Sequence, residues 1–299
     1  TNIPPHNLSE VADAIRYLID NPDAGISDLM KFVPGPDFPT GGVIYDKKGI
    51  EAAYTTGKGV VPMRALAEIE ERKNGSFQIV ITEIPYQVNK ADLITKIAEL
   101  VQEKRILGIR DLRDESDREG MRIVIELKSD AAPQKILNQL YKLSDLQKNF
   151  YVNTIALVEG LQPQTLSLKD ILGYYILHRK DMIRRRTEFD LKKARERAHI
   201  LEGLAKALRA IDEVIAIIKK SKDREAAKAN LMAKFKFTEI QANAILETRL
   251  QTLAALEYQK ITDELKEKMA LIAELEIILK SPKKILDLVK SDLAEIQKD

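Results

Sequence analysis

Five basic residues in the first third of the chain could together contact a nucleic-acid backbone. Each is expected to be solvated by itself, but as a set they would neutralise several phosphates. Lysine and arginine contacts to phosphate give affinity without reading base sequence. We therefore take them as candidate nucleic-acid contacts: Lys47, Lys48, Lys58, Arg64 and Lys90.

Two other local patterns are weighed as ligand-binding sites, one for a divalent cation and one for a phosphate. The acidic turn from Asp114 to Asp117 lacks the glycine and the distal glutamate of a calcium loop, so we interpret it as a solvated turn between strands. Gly57 and Gly59 fit part of a phosphate-binding loop, but neither a Walker sequence nor a dinucleotide fingerprint accompanies them. No nucleotide site is predicted.

Composition excludes further classes of site. The sequence has no cysteine, which excludes disulfides and thiolate chemistry. Its three histidines lie too far apart to suggest a metal site. No segment approaches the ~20 apolar residues of a membrane span, so we expect a soluble cytoplasmic protein. We predict no catalytic residue, no metal site and no cofactor within these 299 residues.

The distribution of proline divides the chain into two architectures. None of the eleven prolines lies between Pro163 and Pro282. Because proline breaks helices, its absence there permits unusually long ones. Before Pro163, runs rich in β-branched residues alternate with glycine and proline, a pattern typical of strands. The predicted fold class is therefore multidomain α+β, with an α/β globule at 1–167 followed by a helical arm.

Periodicity and turn residues locate the elements of the globule. The predicted helices are Ser9 to Asp20, Ser27 to Phe32, Lys90 to Lys104 and Pro133 to Leu143. The predicted strands are Gly42 to Tyr45, Val60 to Glu70, Phe77 to Ile84, Ile109 to Arg113 and Met121 to Leu127.

Two apolar stripes predict a long antiparallel coiled-coil hairpin. The first runs from Leu201 to Ile218 in alternating steps of three and four, and the second runs from Ile261 to Leu279. We expect the stripes to pair, so that 168–221 and 256–299 form the arm and the return helices. The segment from residue 169 to residue 222 contains 15 basic and 8 acidic residues. We interpret these charged side chains as the solvated face of a long helix.

Short helices at 222–255 are expected to form a small knob at the tip of the hairpin. An isolated tip has few internal partners for its apolar side chains, so a second copy of the chain would cover them. The alternative, that these side chains fill the core of the knob itself, stays open. The candidate dimer-interface residues are Leu231, Phe235, Leu250 and Leu253.

Five segments resemble, in order and across nearly the whole chain, the A subunits of bacterial DNA gyrase, which are type II DNA topoisomerases. The A subunit of topoisomerase IV is the nearest alternative. The matching segments are Asn2 to Glu10, Pro34 to Thr40, Glu83 to Lys90, Arg113 to Glu126 and Ala198 to Leu204.

The resemblance implies a tower domain, a coiled-coil arm and an exit gate, in that order. It implies double-stranded DNA, the gyrase B subunit and a second copy of the chain as partners, with magnesium and ATP on the B subunit. The intact enzyme would change DNA supercoiling by ATP-dependent double-strand passage. A cytoplasmic, nucleoid-associated location follows from the same resemblance.

The resemblance also implies a nucleophilic tyrosine in an Ala-Met-Arg-Tyr-Thr context, which this sequence does not contain. The pair Arg16-Tyr17 has different neighbours, and we reject it as the nucleophile. We therefore expect a fragment that is inactive alone.

Two departures from the family pattern bear on function. Leu66 stands where relatives often have a basic residue, and Pro62 removes a backbone donor that only an edge strand can spare. Ala254 and Ala255 replace residues of a tip turn that often contains glycine.

Two classes unrelated to topoisomerases fit the architecture without the motifs. One is a structural coiled-coil protein, and the other is an RNA-binding enzyme with a helical arm, as in some tRNA synthetases. An upstream Arg-Tyr winged helix would distinguish the topoisomerase from both.

Overall fold

The computed structural model describes residues 1–72, 75–158, 160, 162–248 and 255–298. Contacts divide the chain into two compact units, one of Thr1–Ile176 with Leu293–Asp299 and one of Leu177–Asp292. The division falls inside two helices, after Ile176 in Leu168–Arg209 and after Asp292 in Pro282–Ile296. The predicted boundaries at 167, 221 and 255 stay predictions. The predicted fold class is confirmed, since antiparallel sheets occur together with a helix of 42 residues.

Five helices and nine strands of the described residues lie wholly within the first unit. The helices are α1 Leu8–Asp20, α2 Ile26–Leu29, α3 Lys47–Thr56, α4 Lys90–Gln102 and α5 Pro133–Leu143. The strands are β1 Val43–Ile44, β2 Lys58–Arg64, β3 Leu66–Glu71, β4 Phe77–Glu83, β5 Ile109–Asp114, β6 Ile123–Leu127, β7 Gln147–Asn153, β8 Ile155–Val158 and β9 Gln162–Thr165.

A four-stranded antiparallel sheet, here called sheet B, has the order β3-β4-β6-β5. Consecutive residues of its two central strands are buried, and on one face Ile79 and Ile125 have no exposed surface. They pack in one cluster with apolar residues of α4 and α5, including Ile97 and Leu140. The amphipathic patterns of α4 and α5 therefore specify the buried face of sheet B.

A three-stranded antiparallel sheet, here called sheet A, has the order β1-β2-β7. Strands β8 and β9 form a separate hairpin. The predicted single strand from Val60 to Glu70 is wrong, because β2 belongs to sheet A and β3 to sheet B. At the switch, the Ala65 backbone N–H donates to the Leu146 carbonyl at 2.8 Å, and Ala65 is buried.

Helix α3 was not predicted from the sequence. Its apolar content is low and it contains a glycine and two threonines, residues with poor helix propensity. Asp46 begins the helix by accepting a hydrogen bond from the Gly49 N–H at 3.1 Å, and Gly57 ends it in the left-handed conformation. Tertiary packing outweighs propensity here.

The remaining helices follow in sequence, and among the described helices none is both long and apolar enough to cross a membrane. They are α6 Leu168–Arg209, α7 Ile211–Lys220, α8 Arg224–Phe235, α9 Glu239–Glu247, α10 Ala255–Lys280 and α11 Pro282–Ile296.

The first predicted coiled-coil stripe is not one continuous seam. Helix α6 ends at Arg209, and Ala210 leaves the helical region with φ −122° and ψ 42° before α7 begins. Beyond this break, Ile217 and Ile218 pack on the core of the knob, as does Leu204 before it. The expected pairing of the whole stripe with α10 is therefore wrong.

Helix α10 contacts the C-terminal part of α6, from Arg195 to Arg209, and the Arg209 Nε–H donates to the Tyr258 hydroxyl at 3.2 Å. Arg197 makes two hydrogen bonds to the Glu264 carboxylate, at 2.7 and 2.8 Å, and Arg195 contacts Glu276 at 2.6 Å. The two partners on α10 occur in reverse order, so the helices are antiparallel as predicted.

Helix α7, which was predicted as part of the arm, packs with α8 and α9, and these three helices, called the knob from here on, share a core that reaches the end of α6. Gln241 on α9 is buried and donates to the His199 carbonyl of α6 at 2.8 Å, while its Oε1 accepts from the Thr238 N–H. Gly203 makes this crossing possible, because a Cβ at that position would lie 2.6 Å from the Gln241 Cγ and 2.8 Å from its Cβ.

Replacing Gly203 by alanine should therefore destabilise the protein by about 1–3 kcal/mol, the usual range for overpacking. The stem of Gln241 cannot move away without shifting α9 itself. Urea unfolding followed by circular dichroism measures the change.

Gly173 on the same helix provides a matched control, because a Cβ there meets nothing within 4 Å. Gly173→Ala should stabilise the protein by up to about 1 kcal/mol through helix propensity. Equal stabilisation by both substitutions would contradict the close crossing at Gly203.

Candidate nucleic-acid interface

Strand β2 places two of the five candidate cations on one face of sheet A. Its inward residues Val61 and Met63 are buried, whereas Lys58 is exposed and Arg64 is half-buried. Side chains alternate along a strand, so Lys58 and Arg64 share the open face. At about 3.3 Å per residue, the six-residue interval separates them by roughly 20 Å.

Strand β7 completes the open face. Tyr151 lies directly opposite Val60, and their side chains are 63% and 41% exposed. Asn149 lies opposite Pro62 and is also exposed. The open face therefore carries a cation near each end, with apolar and amide side chains between them.

Pro62 is compatible with sheet A because β1 is too short to pair with it. Strand β1 pairs only with Met63 and Arg64, so β2 from Lys58 to Pro62 is an edge strand on that side. A proline on an edge removes no ladder hydrogen bond. Pro62 therefore fits a regular strand at the edge of sheet A.

Helix α3 covers the other face of β2 and presents Lys47 and Lys48 at its first turn, where both are exposed. The helix lies unusually close to the strand: a Cβ on Gly59 would approach the Ala53 Cβ at 2.7 Å. Gly57 caps the helix and Gly59 permits the crossing. The two glycines thus have structural roles that require no phosphate.

The ten residues of α3 extend about 15 Å, with Lys47 at one end and Lys58 just beyond the other. Lys47, Lys48 and Lys58 make no ion pair among the described residues. The structure thus brings Lys58 and Arg64 onto one face and leaves Lys47 and Lys48 at the end of the adjacent helix.

Lys90 lies apart from these residues, at the start of α4 on sheet B. Its ammonium contacts the Asp114 carboxylate at 2.7 Å. The hydrogen bond from Lys90, helped by two from Ser116, lowers the pKa of Asp114 to about 2. Much of the Lys90 charge is therefore compensated within the protein.

The acidic turn that begins at Asp114 is closed by its own backbone. The Ser116 N–H donates to the Asp114 carboxylate at 3.1 Å, and the Glu119 N–H donates to Asp117 at 2.8 Å. Within the part of the chain that the structure describes, no three His, Asp or Glu side chains are grouped as metal ligands would be.

Arg64 is the most constrained of the five cations. Its guanidinium carbon lies 5.2 Å from the ring centre of Tyr45 and 5.1 Å from that of Tyr141. Its Nε–H donates to the Gln147 Oε1. Sequence reasoning missed these three neighbours, because Tyr141 comes from α5 and only Gln147 is linked to Arg64 by strand register.

The rejected pair Arg16-Tyr17 has structural roles within α1. The Tyr17 ring packs on Phe32 with ring centres 4.8 Å apart, and Arg16 contacts Asp13 and Gln297. Neither residue lies in sheet A.

The knob contains the second predicted site, for dimerisation. Leu231 has no exposed surface even in the single chain and belongs to the knob core, so it cannot present its side chain to a partner. Phe235 is half-buried and stacks on Phe237 at 5.3 Å between ring centres. Leu250 and Leu253 lie outside the described residues. Ile240 on α9, at 61% exposure, is a surface apolar residue of the knob that the prediction did not include.

Comparison with known proteins gives a consistent result. A sequence model of the family described as the A subunit of DNA gyrase/topoisomerase IV matches residues 1–294. The chain is 58% identical to the DNA gyrase A subunit of Clostridium acetobutylicum over 99% of this chain and 36% of that protein. It is 52% identical to the DNA gyrase A subunit of Dehalogenimonas lykanthroporepellens, over 99% of this chain and 37% of the relative.

The DNA gyrase A subunit of Staphylococcus epidermidis is 53% identical over 99% of this chain and 33% of its own length. The chain thus spans about a third of the length of these curated relatives. The matches give no support to a structural coiled-coil protein or to an RNA-binding enzyme.

Replacing Lys90 by glutamine should raise the pKa of Asp114 from about 2 toward its ordinary value. The Ser116 hydrogen bonds should keep the pKa somewhat below that value. Because the folded pKa is depressed, the contribution of this pair to stability is present above the ordinary pKa and is lost as the pH falls toward 2. A carboxyl NMR titration measures the shift.

Lys96 lies on the same helix and pairs with Glu99, so Lys96→Gln serves as the control and should leave the Asp114 titration unchanged. An unaltered Asp114 pKa in Lys90→Gln would show that the lysine contact does not hold it.

Proposed function

The chain belongs to the family of DNA gyrase and topoisomerase IV A subunits, and from this premise we propose that it supplies the scaffold, the DNA-flanking surface and the dimer gate of a type II DNA topoisomerase. The observation that carries the proposal is 58% identity over 99% of the chain to a DNA gyrase A subunit. The relatives named above are gyrase subunits, which favours gyrase over topoisomerase IV.

In the proposed whole enzyme, paired tyrosines cut both strands of one duplex, a second duplex passes through, and the break is resealed. ATP hydrolysis in the B subunit drives the cycle, and magnesium and ATP are assigned to that partner. We place the enzyme in the cytoplasm, associated with the nucleoid. The residues of this chain would bind flanking DNA and hold two copies of the chain together.

The proposed DNA-flanking residues are the cations of the open face of sheet A and those of the first turn of α3, the helix that covers the other face. Lys47, Lys48 and Lys58 are exposed and make no ion pair among the described residues, so they can contact phosphate without breaking a protein contact. Lys90 would contribute less, because its ammonium already contacts Asp114.

These 299 residues alone should neither relax nor cleave supercoiled DNA, even with the B subunit added. The sequence lacks the Ala-Met-Arg-Tyr-Thr context of the family's nucleophilic tyrosine, and a phosphotyrosine bond cannot form without that residue. An agarose-gel cleavage assay checks this, and a covalent adduct that disappears in Tyr17→Phe would contradict our rejection of Tyr17.

The chain should bind duplex DNA weakly and without sequence preference, and the affinity should fall steeply between about 50 and 200 mM salt. Changing Lys47, Lys48 and Lys58 together to glutamate should weaken binding by at least about tenfold, because three phosphate contacts become repulsive. Fluorescence anisotropy with a labelled duplex measures the affinity. Adding Lys90→Glu should have a smaller further effect.

An equal change of charge elsewhere in the same unit controls for the net charge. Lys104, Lys128 and Lys135 are also exposed, and their joint reversal should reduce affinity much less. If the two triple variants bind equally, the surface has been placed wrongly.

The chain should form a dimer through the knob, with a sedimentation mass near twice 33.8 kDa. Ile240→Asp should shift the equilibrium toward monomer, because an exposed apolar residue of an interface is replaced by a charge that the interface must desolvate. Analytical ultracentrifugation at micromolar concentration measures the equilibrium.

Ile277→Asp serves as the control, since Ile277 is an exposed isoleucine on α10 rather than on the knob. It should leave the dimer intact. A wild-type chain that sediments as a monomer would count against the gate.

A further inference from the structure

Arg64 is held in place by three side chains from different elements. Tyr45 follows β1, Tyr141 belongs to α5, and Gln147 begins β7. The two rings flank the guanidinium at 5.2 and 5.1 Å, and Gln147 accepts from its Nε–H. A flexible side chain with several rotatable bonds is therefore fixed in one orientation.

The outer edge of this guanidinium remains available. Among the described residues, the hydrogen bonds of the Arg64 side chain involve only Nε, and no carboxylate lies within ion-pair distance. Three arginines near sheet B differ in this respect: Arg72 and Arg113 contact Glu126, and Arg122 contacts Glu115. Arg64 is thus stacked and oriented, with its two terminal nitrogens and their four N–H groups unused.

We propose that Arg64 is a preoriented site for one phosphate of the DNA backbone, with Tyr45, Tyr141 and Gln147 as its positioning residues. The proposal rests on the DNA-flanking function proposed above and specifies how one contact of that surface is made. A guanidinium offers two parallel N–H donors that match two phosphate oxygens, a geometry that an ammonium cannot reproduce.

Preorientation gives this contact a different character from those of the lysines. Lys47, Lys48 and Lys58 must each lose side-chain freedom on binding, whereas the two rings have already restricted Arg64. Arg64 also lies on the open face of β2, roughly 20 Å from Lys58. It would therefore fix the register of the duplex on sheet A, while the lysines add affinity that tolerates sliding.

A purely structural role is the alternative, in which the stack only joins β1, β2 and α5. Tyr141 has such a role, because its hydroxyl donates to the Ala65 carbonyl at 3.2 Å. Tyr45 does not, since its side chain is 67% exposed and its removal uncovers little apolar surface. Tyr45 is therefore the informative position for mutation.

The test measures binding of a fluorescein-labelled duplex of mixed sequence to the 299-residue chain and to Arg64→Lys, Tyr45→Ala and Tyr45→Phe. Arg64→Lys keeps the positive charge but loses the two parallel N–H donors of the guanidinium. The affinity should therefore fall about tenfold, as for a lost charge-assisted hydrogen bond. The dependence of the affinity on salt concentration should stay unchanged. Tyr45→Ala should weaken DNA binding severalfold without changing the unfolding midpoint. Tyr45→Phe, which keeps the aromatic ring, should bind DNA as the wild type does.

Wild-type affinity in both Arg64→Lys and Tyr45→Ala would overturn the proposal. So would a loss in Tyr45→Ala that only accompanies a lowered unfolding midpoint. If these variants bind normally while reversal of Lys47, Lys48 and Lys58 abolishes binding, this inference fails and the DNA-flanking function stands. A wild-type chain that binds no duplex would overturn both.

Discussion

The close crossing of helix α3 over strand β2 determines which surface of sheet A can meet a ligand. Gly59 has no side chain, and the helix backbone around Ala53 occupies the space where a Cβ would be. Any larger residue at 59 would push the helix off the strand. Because α3 seals this face, the opposite face of β2, with Lys58 and Arg64, is left for solvent or for a partner.

The lysines at the starts of α3 and α4 differ in their surroundings. Lys47 and Lys48 occupy the first turn of α3, where the helix dipole disfavours positive charge and the Asp46 carboxylate caps the helix. Lys90 begins α4 in an equivalent position, but Asp114 supplies the anion internally. The two helix starts thus differ in that Lys90 is ion-paired, whereas Lys47 and Lys48 make no ion pair among the described residues.

Sequence patterns predicted those elements whose local and tertiary preferences agree. Helix α5 was bounded correctly at Pro133 and Leu143, because proline suits a first helical turn and the apolar stripe is strong. Helix α3 escaped prediction because its packing on β2 overrides poor propensity. The switch of sheets at Ala65 also escaped, since consecutive apolar and β-branched residues do not reveal which sheet each half joins.

Site prediction had the same limit. Arg64 and Lys90 were both predicted as DNA contacts on the basis of their charge. The structure shows that Arg64 is stacked between rings and Lys90 is ion-paired, and these neighbours come from distant segments of the chain. Tyr141 and Asp114 lie well beyond the positions they contact. Period-two alternation along β2 was the one available signal that Lys58 and Arg64 share a face, and grouping Val60 to Glu70 as one strand obscured it.

The proposed dimer gate would have to open without unfolding, and a core within the single chain is compatible with that requirement. Leu231 and Phe237 are buried within the single chain, and Gln241 fixes α9 to α6 by hydrogen bonds inside it. Had those leucine and phenylalanine side chains formed the dimer interface, each opening would expose core surface at about 25 cal/mol per Å². An interface built from residues that are already exposed, such as Ile240, can part at a much smaller cost. The core that the described residues of the knob form is therefore compatible with the proposed gate, whose two halves would remain folded when they separate.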